Sequence, residues 1–348
     1  MATFEKRGPM QIRVKIRKNG FPPLAQTFAT RAEAEAFARV TELAMEQGTW
    51  LDTRQSDKTS FSTLARMYRE QYAKDHYRGA AWEYKLDQLE KRLGAYALSK
   101  ITPSVIASYR DARLQDADAR FKDKKNAPCV SSSTVKTELD LLSKIFDVAE
   151  RAFGITLPQG NPMQRVLRPK ENKGREKRLP PGTAEEKSLL KAAAEDVNKL
   201  LAPAIRLSIE TGIRQGELLS LLWNDVYTGR RLILLRNTKS GEPRSVPLSS
   251  TAVEILEGLR ERSTHDSGRV FGDISHPTTL QHAFRRACSV AGITGLTWHD
   301  LRHEALSRLG ERGDLSVLEI AAISGHKSLQ TLKRYTHFEA ERLARKLG

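Results

Sequence analysis

Cysteine is nearly missing from this chain. Cys129 and Cys288 stand far apart and form no C-x-x-C spacing, which excludes a disulfide framework and a cysteine-based zinc site and fits a reducing compartment. No run of about 18 consecutive apolar residues occurs, so no membrane-spanning helix is predicted. The opening stretch, MATFEKRGPMQIRVKIRKNG, lacks the apolar core of a secretory signal. Repeats and low-complexity tracts are absent, so no solenoid is expected. Acidic residues are in deficit: 42 Asp+Glu face 58 Lys+Arg, for a net charge of +16. Such a field attracts polyanions, of which nucleic acid is the commonest large one in a cell, although ribosomal, RNA-binding and membrane-surface proteins are basic too. The expectation is a soluble, basic, intracellular protein of the cytoplasm.

At 348 residues, with 39% hydrophobic and 29% charged residues, the chain suits two or three globular domains. The first block runs to about residue 52. In QIRVKIR, Ile12, Val14 and Ile16 alternate with Arg13, Lys15 and Arg17, which predicts a strand with one apolar and one cationic face. Asn19-Gly20 supplies a turn, FPPLAQTF a returning strand, and Thr30 with Glu33 a capping box that opens a helix ending near Gly48. The basic face of Arg13, Lys15 and Arg17 either lies in a DNA groove or is an ordinary solvated strand face. Residues 53–60 read as a linker, and residues 61–163 as a bundle of about four helices in which nothing looks chemical. One of them carries Val135, Leu139, Leu142, Ile145, Phe146 and Ala149 on a single face. A second linker, 164–179, holds the run RVLRPKENKGREKR, with seven Lys/Arg against two Glu. It is either a solvated tether or a segment following a phosphate backbone, through Lys170, Lys173 and Arg175. The third block, 180–348, mixes helices with a strand pair, RRLILLRN and PRSVPL, around the turn TKSGE. Helical stretches are expected at 184–200, 203–222, 249–262, 278–291, 300–312, 315–323 and 328–335.

The polar residues that carry chemistry lie in this last block. Taken alone, Arg214 three residues before Glu217 is an ordinary ion-pair spacing, and Tyr335 continues a Leu329, Leu332 row that reads as core. Lys239 is the only lysine between Lys199 and Lys327. Lysine can release a proton where arginine cannot, so Lys239 is a candidate proton donor, though turns of basic proteins often carry lysine. His299 and His303 are spaced for a metal on one helix face, yet no carboxylate cluster or cysteine completes the set. His299 and Arg302, at i and i+3, can instead both donate to one phosphate. Together, two arginines, a lysine, two histidines and a late tyrosine suit a metal-free phosphoryl-transfer site. The arginines would neutralise non-bridging oxygens in the transition state and the tyrosine would attack phosphorus.

In that order, Arg214 in TGIRQGELLSL, Lys239 in NTKSGEPRSVPL, His299 and Arg302 in HDLRH, His326 in SGHKS and Tyr335 in KRYTH resemble the signature of the tyrosine recombinase (phage integrase) family. Each motif is weak by itself; the six in sequence are specific. The resemblance implies a mainly α fold with small β elements: an arm-type DNA-binding domain of small sheet plus helix at 1–52, a helical core-binding domain at 61–163, and a mixed α/β catalytic domain at 180–348. Asn161-Pro162 after the last bundle helix matches the pattern. One departure stands out: Glu304 follows His303 where many relatives have Thr or Ser, away from the catalytic positions.

The family implies that Tyr335 attacks the scissile phosphate to form a 3′-phosphotyrosine and free a 5′-hydroxyl. Arg214, Arg302 and His326 would clamp the phosphate, Lys239 would protonate the leaving oxygen, His299 would help accept the tyrosine proton, and Glu217 would orient Arg214. No cofactor, ATP or divalent metal is implied. The implied partners are double-stranded attachment sites, further copies of the chain in a tetrameric synapse, and DNA-bending and directionality factors, in the nucleoid of a bacterial host. In FEAERLARKLG, Ala340, Leu343, Ala344 and Leu347 share one helical face, which either docks on a neighbouring protomer or folds back on its own domain. The competing functions are a type IB topoisomerase, a non-catalytic DNA-binding regulator of the same fold, and a metal-dependent nuclease.

Overall fold

The computed structural model describes the chain except residues 78, 122, 124, 172–176, 237–241, 263–267, 273, 275, 333, 334 and 336–348. Lys173, Arg175, Lys239, His337 and the C-terminal tail therefore lie outside the described residues. Contacts divide the chain into two units, Met1–Lys173 and Gly174–Gly348. The mainly helical fold class with small sheets is borne out.

The first unit opens with an antiparallel sheet, β1 (Ala2–Gly8), β2 (Gln11–Ile16) and β3 (Leu24–Phe28), in which β2 is central. Strand β1 was not anticipated: its alternation is diluted by charge, and it is held through the pairing of Phe4 with Val14 and Ala2 with Ile16. The third strand begins only at Leu24, because Pro22 and Pro23 have no N–H for the ladder. Helix α1 (Arg31–Glu46) starts at Thr30 with the reciprocal Thr30–Glu33 capping box and covers Val14 and Ile16 with Ala34, Ala38 and Met45.

A short helix, α2 (Arg54–Lys58), occupies the stretch read as a linker, with Ser56 buried. Then come α3 (Phe61–Tyr68), continued by a π-turn into α4 (Lys74–His76), and α5 (Ala81–Leu93), α6 (Pro103–Leu114) and α7 (Ser132–Arg151). Val135, Leu139, Leu142, Ile145, Phe146 and Ala149 of α7 are all fully buried in the bundle core. That stripe contributes on the order of 10 kcal/mol before chain entropy is set against it. Buried Glu138 on α7 accepts from the Arg113 guanidinium and from the Tyr109 hydroxyl at 2.8 Å, so its charge is paired. Asn161 ties the chain after α7 back to it, donating to Ser143 O at 3.0 Å and Asp147 Oδ1 at 2.8 Å.

In the second unit, α8 (Ala184–Glu195), α9 (Leu201–Thr211) and α10 (Gln215–Leu219) lead to a three-stranded antiparallel meander, β4 (Val226–Tyr227), β5 (Leu232–Leu235) and β6 (Arg244–Pro247). Helices α11 (Ser250–Arg262), α12 (Pro277–Val290), α13 (Trp298–Arg312) and α14 (Val317–Ser324) follow. Helix α9 is the pillar: Leu201, Ala204, Ile205 and Leu207 are fully buried, and α8, α11 and α13 all pack on it. The single helix expected over 203–222 is instead two, because Gly212 ends α9 in a left-handed conformation and Arg214 restarts the chain as the N-cap of α10. Of the stretch 328–335, only Leu329–Thr331 is described as helical, as one 3₁₀ turn.

Glu304 has a clear place. It is fully buried and accepts from Arg178 Nε at 2.7 Å, Leu179 N at 3.0 Å and Arg308 Nε at 3.0 Å. Arg308 also reaches Glu186 on α8 at 2.6 Å. The carboxylate thereby fastens the segment entering this unit to α13, the helix that carries His299 and Arg302.

Candidate active site

Glu217 is the anchor. It stands in the first turn of α10, 5% exposed, and each carboxylate oxygen accepts two hydrogen bonds. Oε1 takes Arg214 Nη1 at 2.9 Å and Arg244 Nη1 at 2.8 Å; Oε2 takes Arg214 N and Arg244 Nη2, both at 2.8 Å. An ionised carboxylate has about four acceptor sites, so this one is saturated. Burial pushes its pKa up, but the Arg244 and Arg214 bonds outweigh that and hold it at about 2. Glu217 therefore stays charged, and Arg214 is held by a capping bond and an ion pair together.

Arg302 projects from α13 with 4% exposure. Its Nη1 donates to Gly212 O and its Nη2 to Ser324 O at 2.6 Å, the carbonyls at the C-terminal ends of α9 and α14. Helix ends leave such carbonyls without intrahelical partners and carry partial negative charge, which is why an arginine fits between them. Burial first, and then repulsion from Arg214, lowers its pKa to about 10, so it remains cationic at neutral pH.

Residues Ser324, Gly325 and His326 turn away from α14, and the Ser324 hydroxyl pairs with His326 Nδ1 at 2.7 Å. Burial, followed by the charges of Arg302, Arg214, His303 and Arg244, depresses the His326 pKa to about 4. This imidazole is neutral at pH 7. Two guanidiniums thus grip one carboxylate, and a third with a neutral imidazole lies within reach of their charge, a local cationic excess suited to an anion.

Tyr335, 5% exposed, packs with Leu332, Leu306 and Ile320. Its hydroxyl contacts Nδ1 of His303, and the two rings lie 5.7 Å apart at 28°. His299 meets His303 edge to face, with centroids 4.5 Å apart. So His303 touches both Tyr335 and His299. Helix α13 comes this close because Gly310 has no side chain: a Cβ there would collide with the Tyr335 carbonyl oxygen. No group of three or more His, Cys, Asp or Glu suited to a metal occurs among the described residues.

The structure thus gathers Arg214, Glu217, Arg302 and His326 around one point, with His299 and Tyr335 joined through His303. Lys239 lies outside the described residues, beyond the end of β5. Two members of the cluster were not singled out from sequence for this chemistry. In the sequence His303 suggests only a metal ligand, through the signal of its i+4 spacing from His299. Arg244 interrupts a strand otherwise set for an apolar–polar alternation, which is a faint one. The candidate DNA contacts of the other unit do not share one environment. Arg13 and Lys15 are half-buried, Lys15 pairs with Glu5 at 3.0 Å, and Arg17 and Lys170 are exposed.

A cluster of guanidiniums from α10, α13 and β6, with a buried tyrosine beside it, suits a phosphodiester-transfer protein. Residues 183–342 match the phage integrase family. The shufflon-specific DNA recombinase of Escherichia coli is 37% identical over 274 residues, covering 78% of this chain and 67% of that protein. Among solved structures, a lambda integrase dimer bound to a COC′ core site superposes with a TM-score of 0.64 at 18% identity, covering 96% of this chain and 94% of the other. A lambda integrase tetramer bound to a Holliday junction gives 0.63 at 19% identity, over 93% and 95%. These two show likeness of fold. The chain belongs to the phage integrase family.

Proposed function

We propose that the chain is a site-specific DNA recombinase that cuts and rejoins duplex DNA through Tyr335, integrating or excising a mobile element. The observation that carries the reading is the clustering of Arg214, fixed by Glu217, with Arg302 and His326, whose charges act on one another, and the Tyr335 hydroxyl held in the same neighbourhood by His303. In the reaction, the Tyr335 oxygen bonds to the scissile phosphorus as the bond to the 5′-oxygen breaks. The phenolic proton passes to the His303–His299 pair, and Lys239 supplies a proton to the departing oxygen. The product is a 3′-phosphotyrosine and a free 5′-hydroxyl, and attack by a 5′-hydroxyl of the partner duplex reverses the step. Arg214 and Arg302 neutralise the non-bridging oxygens. His326 adds a neutral donor through Nε2 when the Ser324 hydroxyl donates to Nδ1. The phosphotyrosine conserves bond energy, so the scheme uses no nucleotide cofactor or metal.

The small basic sheet is assigned to arm-type DNA, the helical bundle and the basic segment 164–179 to core DNA, and the nucleoid is the working location. Lambda integrase, of similar fold, is bound to a core site as a dimer and to a Holliday junction as a tetramer; the same assembly is assigned here, with the tail 338–348 reaching a neighbouring protomer. The decisive experiment mixes wild type and Tyr335→Phe, in EDTA, with nicked duplexes carrying candidate element ends. A DNA-linked band on a denaturing gel with wild type alone supports the reading. Tight binding with no adduct on any site favours a non-catalytic regulator, and relaxation of supercoils without sequence preference favours a topoisomerase.

A further inference from the structure

We propose that Arg244 is a positioning residue that fixes the Arg214 guanidinium and the Gly325-His326 turn in one frame for phosphate cleavage. The inference rests on the recombinase reading above. Arg244 opens β6, on the strand that returns from the segment holding Lys239, and its side chain is 10% exposed. Both terminal nitrogens are committed to Glu217, and Nε donates to Ile323 O at 3.3 Å near the C-terminal end of α14. One side chain therefore bridges the meander, the α10 N-terminus with Arg214, and the helix end that presents His326.

The geometry explains why this is positioning and not direct phosphate contact: all three guanidinium nitrogens of Arg244 are already bonded within the protein, two of them bidentate on a carboxylate. That carboxylate is the one that orients Arg214, and half of its four bonds come from Arg244. Without them Glu217 gains freedom to rotate, and the Arg214 guanidinium moves with it. The neighbouring backbone makes room for this reach. Gly325 has φ +68°, and a Cβ on it would stand 2.9 Å from Cδ, 3.0 Å from Nε and 3.2 Å from Cζ of Arg244. The glycine thus both ends α14 and leaves the passage through which the arginine crosses. Lysine cannot substitute, because one ammonium cannot span both carboxylate oxygens and the Ile323 carbonyl with fixed geometry.

The test uses the full-length chain with Arg244→Lys and Arg244→Gln, on nicked duplexes with either an ordinary scissile phosphodiester or a neutral methylphosphonate. Adduct formation rate, its half-saturating DNA concentration and the thermal midpoint are read for each. Arg244→Lys is expected to slow adduct formation about 100-fold on the phosphodiester with half-saturation nearly unchanged, the penalty of a small misplacement of a charge-stabilising group. On the methylphosphonate, which has less charge to neutralise, the deficit should shrink to within about 10-fold. Arg244→Gln should follow the same pattern with a larger deficit. An Arg244→Lys rate equal to wild type, or a deficit identical on both substrates, overturns the inference, the latter marking a purely structural role. If wild type itself forms no adduct, the recombinase reading fails and takes this inference with it; an adduct from wild type with undiminished variants sinks this inference alone.

Discussion

Cations crowded around one carboxylate set the pH behaviour of single residues. His326 has a folded pKa of about 4 against an ordinary value of 6.5, because it is partly buried among Arg302, Arg214 and Arg244. The unfolded chain thus binds a proton between pH 6.5 and 4 that the folded chain refuses. The stability from a neutral His326 is full above pH 6.5 and drains away as pH falls toward 4. The thermal midpoint of wild type is expected to drop between pH 7 and 5 more steeply than that of His326→Gln, measured by calorimetry without DNA. Parallel curves would refute the assignment. A bound phosphodiester supplies the missing negative charge, so duplex binding at pH 5 should draw protons from a weakly buffered solution. At the same scale, His303→Ala is expected to slow adduct formation about 100-fold while sparing DNA binding, since the phenol loses its nearest proton acceptor. Rapid-quench gels with saturating nicked duplex would read this, and an unchanged rate would return the proton to His299 or solvent. The order of Arg214, His299, Arg302, His326 and Tyr335 was legible in the sequence because family motifs are local. Arg244 was not, because its partner Glu217 lies 27 positions away and no local spacing announces it.

Elements show where local pattern suffices and where it does not. The α7 stripe was readable, since a period of 3.6 over 20 residues leaves little choice of buried face. The capping box of α1 was readable for the same reason: both partners sit within four residues. The break between α9 and α10 was missed because Gly212 looks tolerable inside an apolar helical run, and only the need to present Arg214 at a helix start makes it a stop. The β1 strand was missed because it depends on its neighbour for both hydrogen bonds and apolar cover. Two element contacts yield predictions. Gly310→Ala should displace the Tyr335 backbone, so adduct formation falls at least about 10-fold while core-site affinity measured by fluorescence anisotropy stays level. Glu304→Thr leaves Arg178, Arg308 and the Leu179 N–H without their shared acceptor; with both arginines partly solvated, the loss should be about 2–3 kcal/mol, read by urea unfolding of the full chain. A change below about 0.5 kcal/mol would show that water replaces the carboxylate readily.

For the molecule as a whole, the +16 charge predicts that binding to any duplex weakens steeply with salt, with log affinity linear in log salt concentration. Removing 338–348 is expected to leave binding to a single site intact and to impair synapsis on a native gel; an unchanged recombination rate would place the tail on its own domain. Arg302 has a consequence of another kind. The guanidinium assigned to the phosphate also fastens the C-terminal ends of α9 and α14, at Gly212 and Ser324. Losing it loosens the central helix of its unit, so an Arg302 allele should be cleared by cellular proteases and behave as a recessive null. A Tyr335→Phe allele keeps every one of those ties. Its product should persist, occupy sites alongside wild-type copies and interfere with them, so that of two equally inactive alleles only the tyrosine one is dominant.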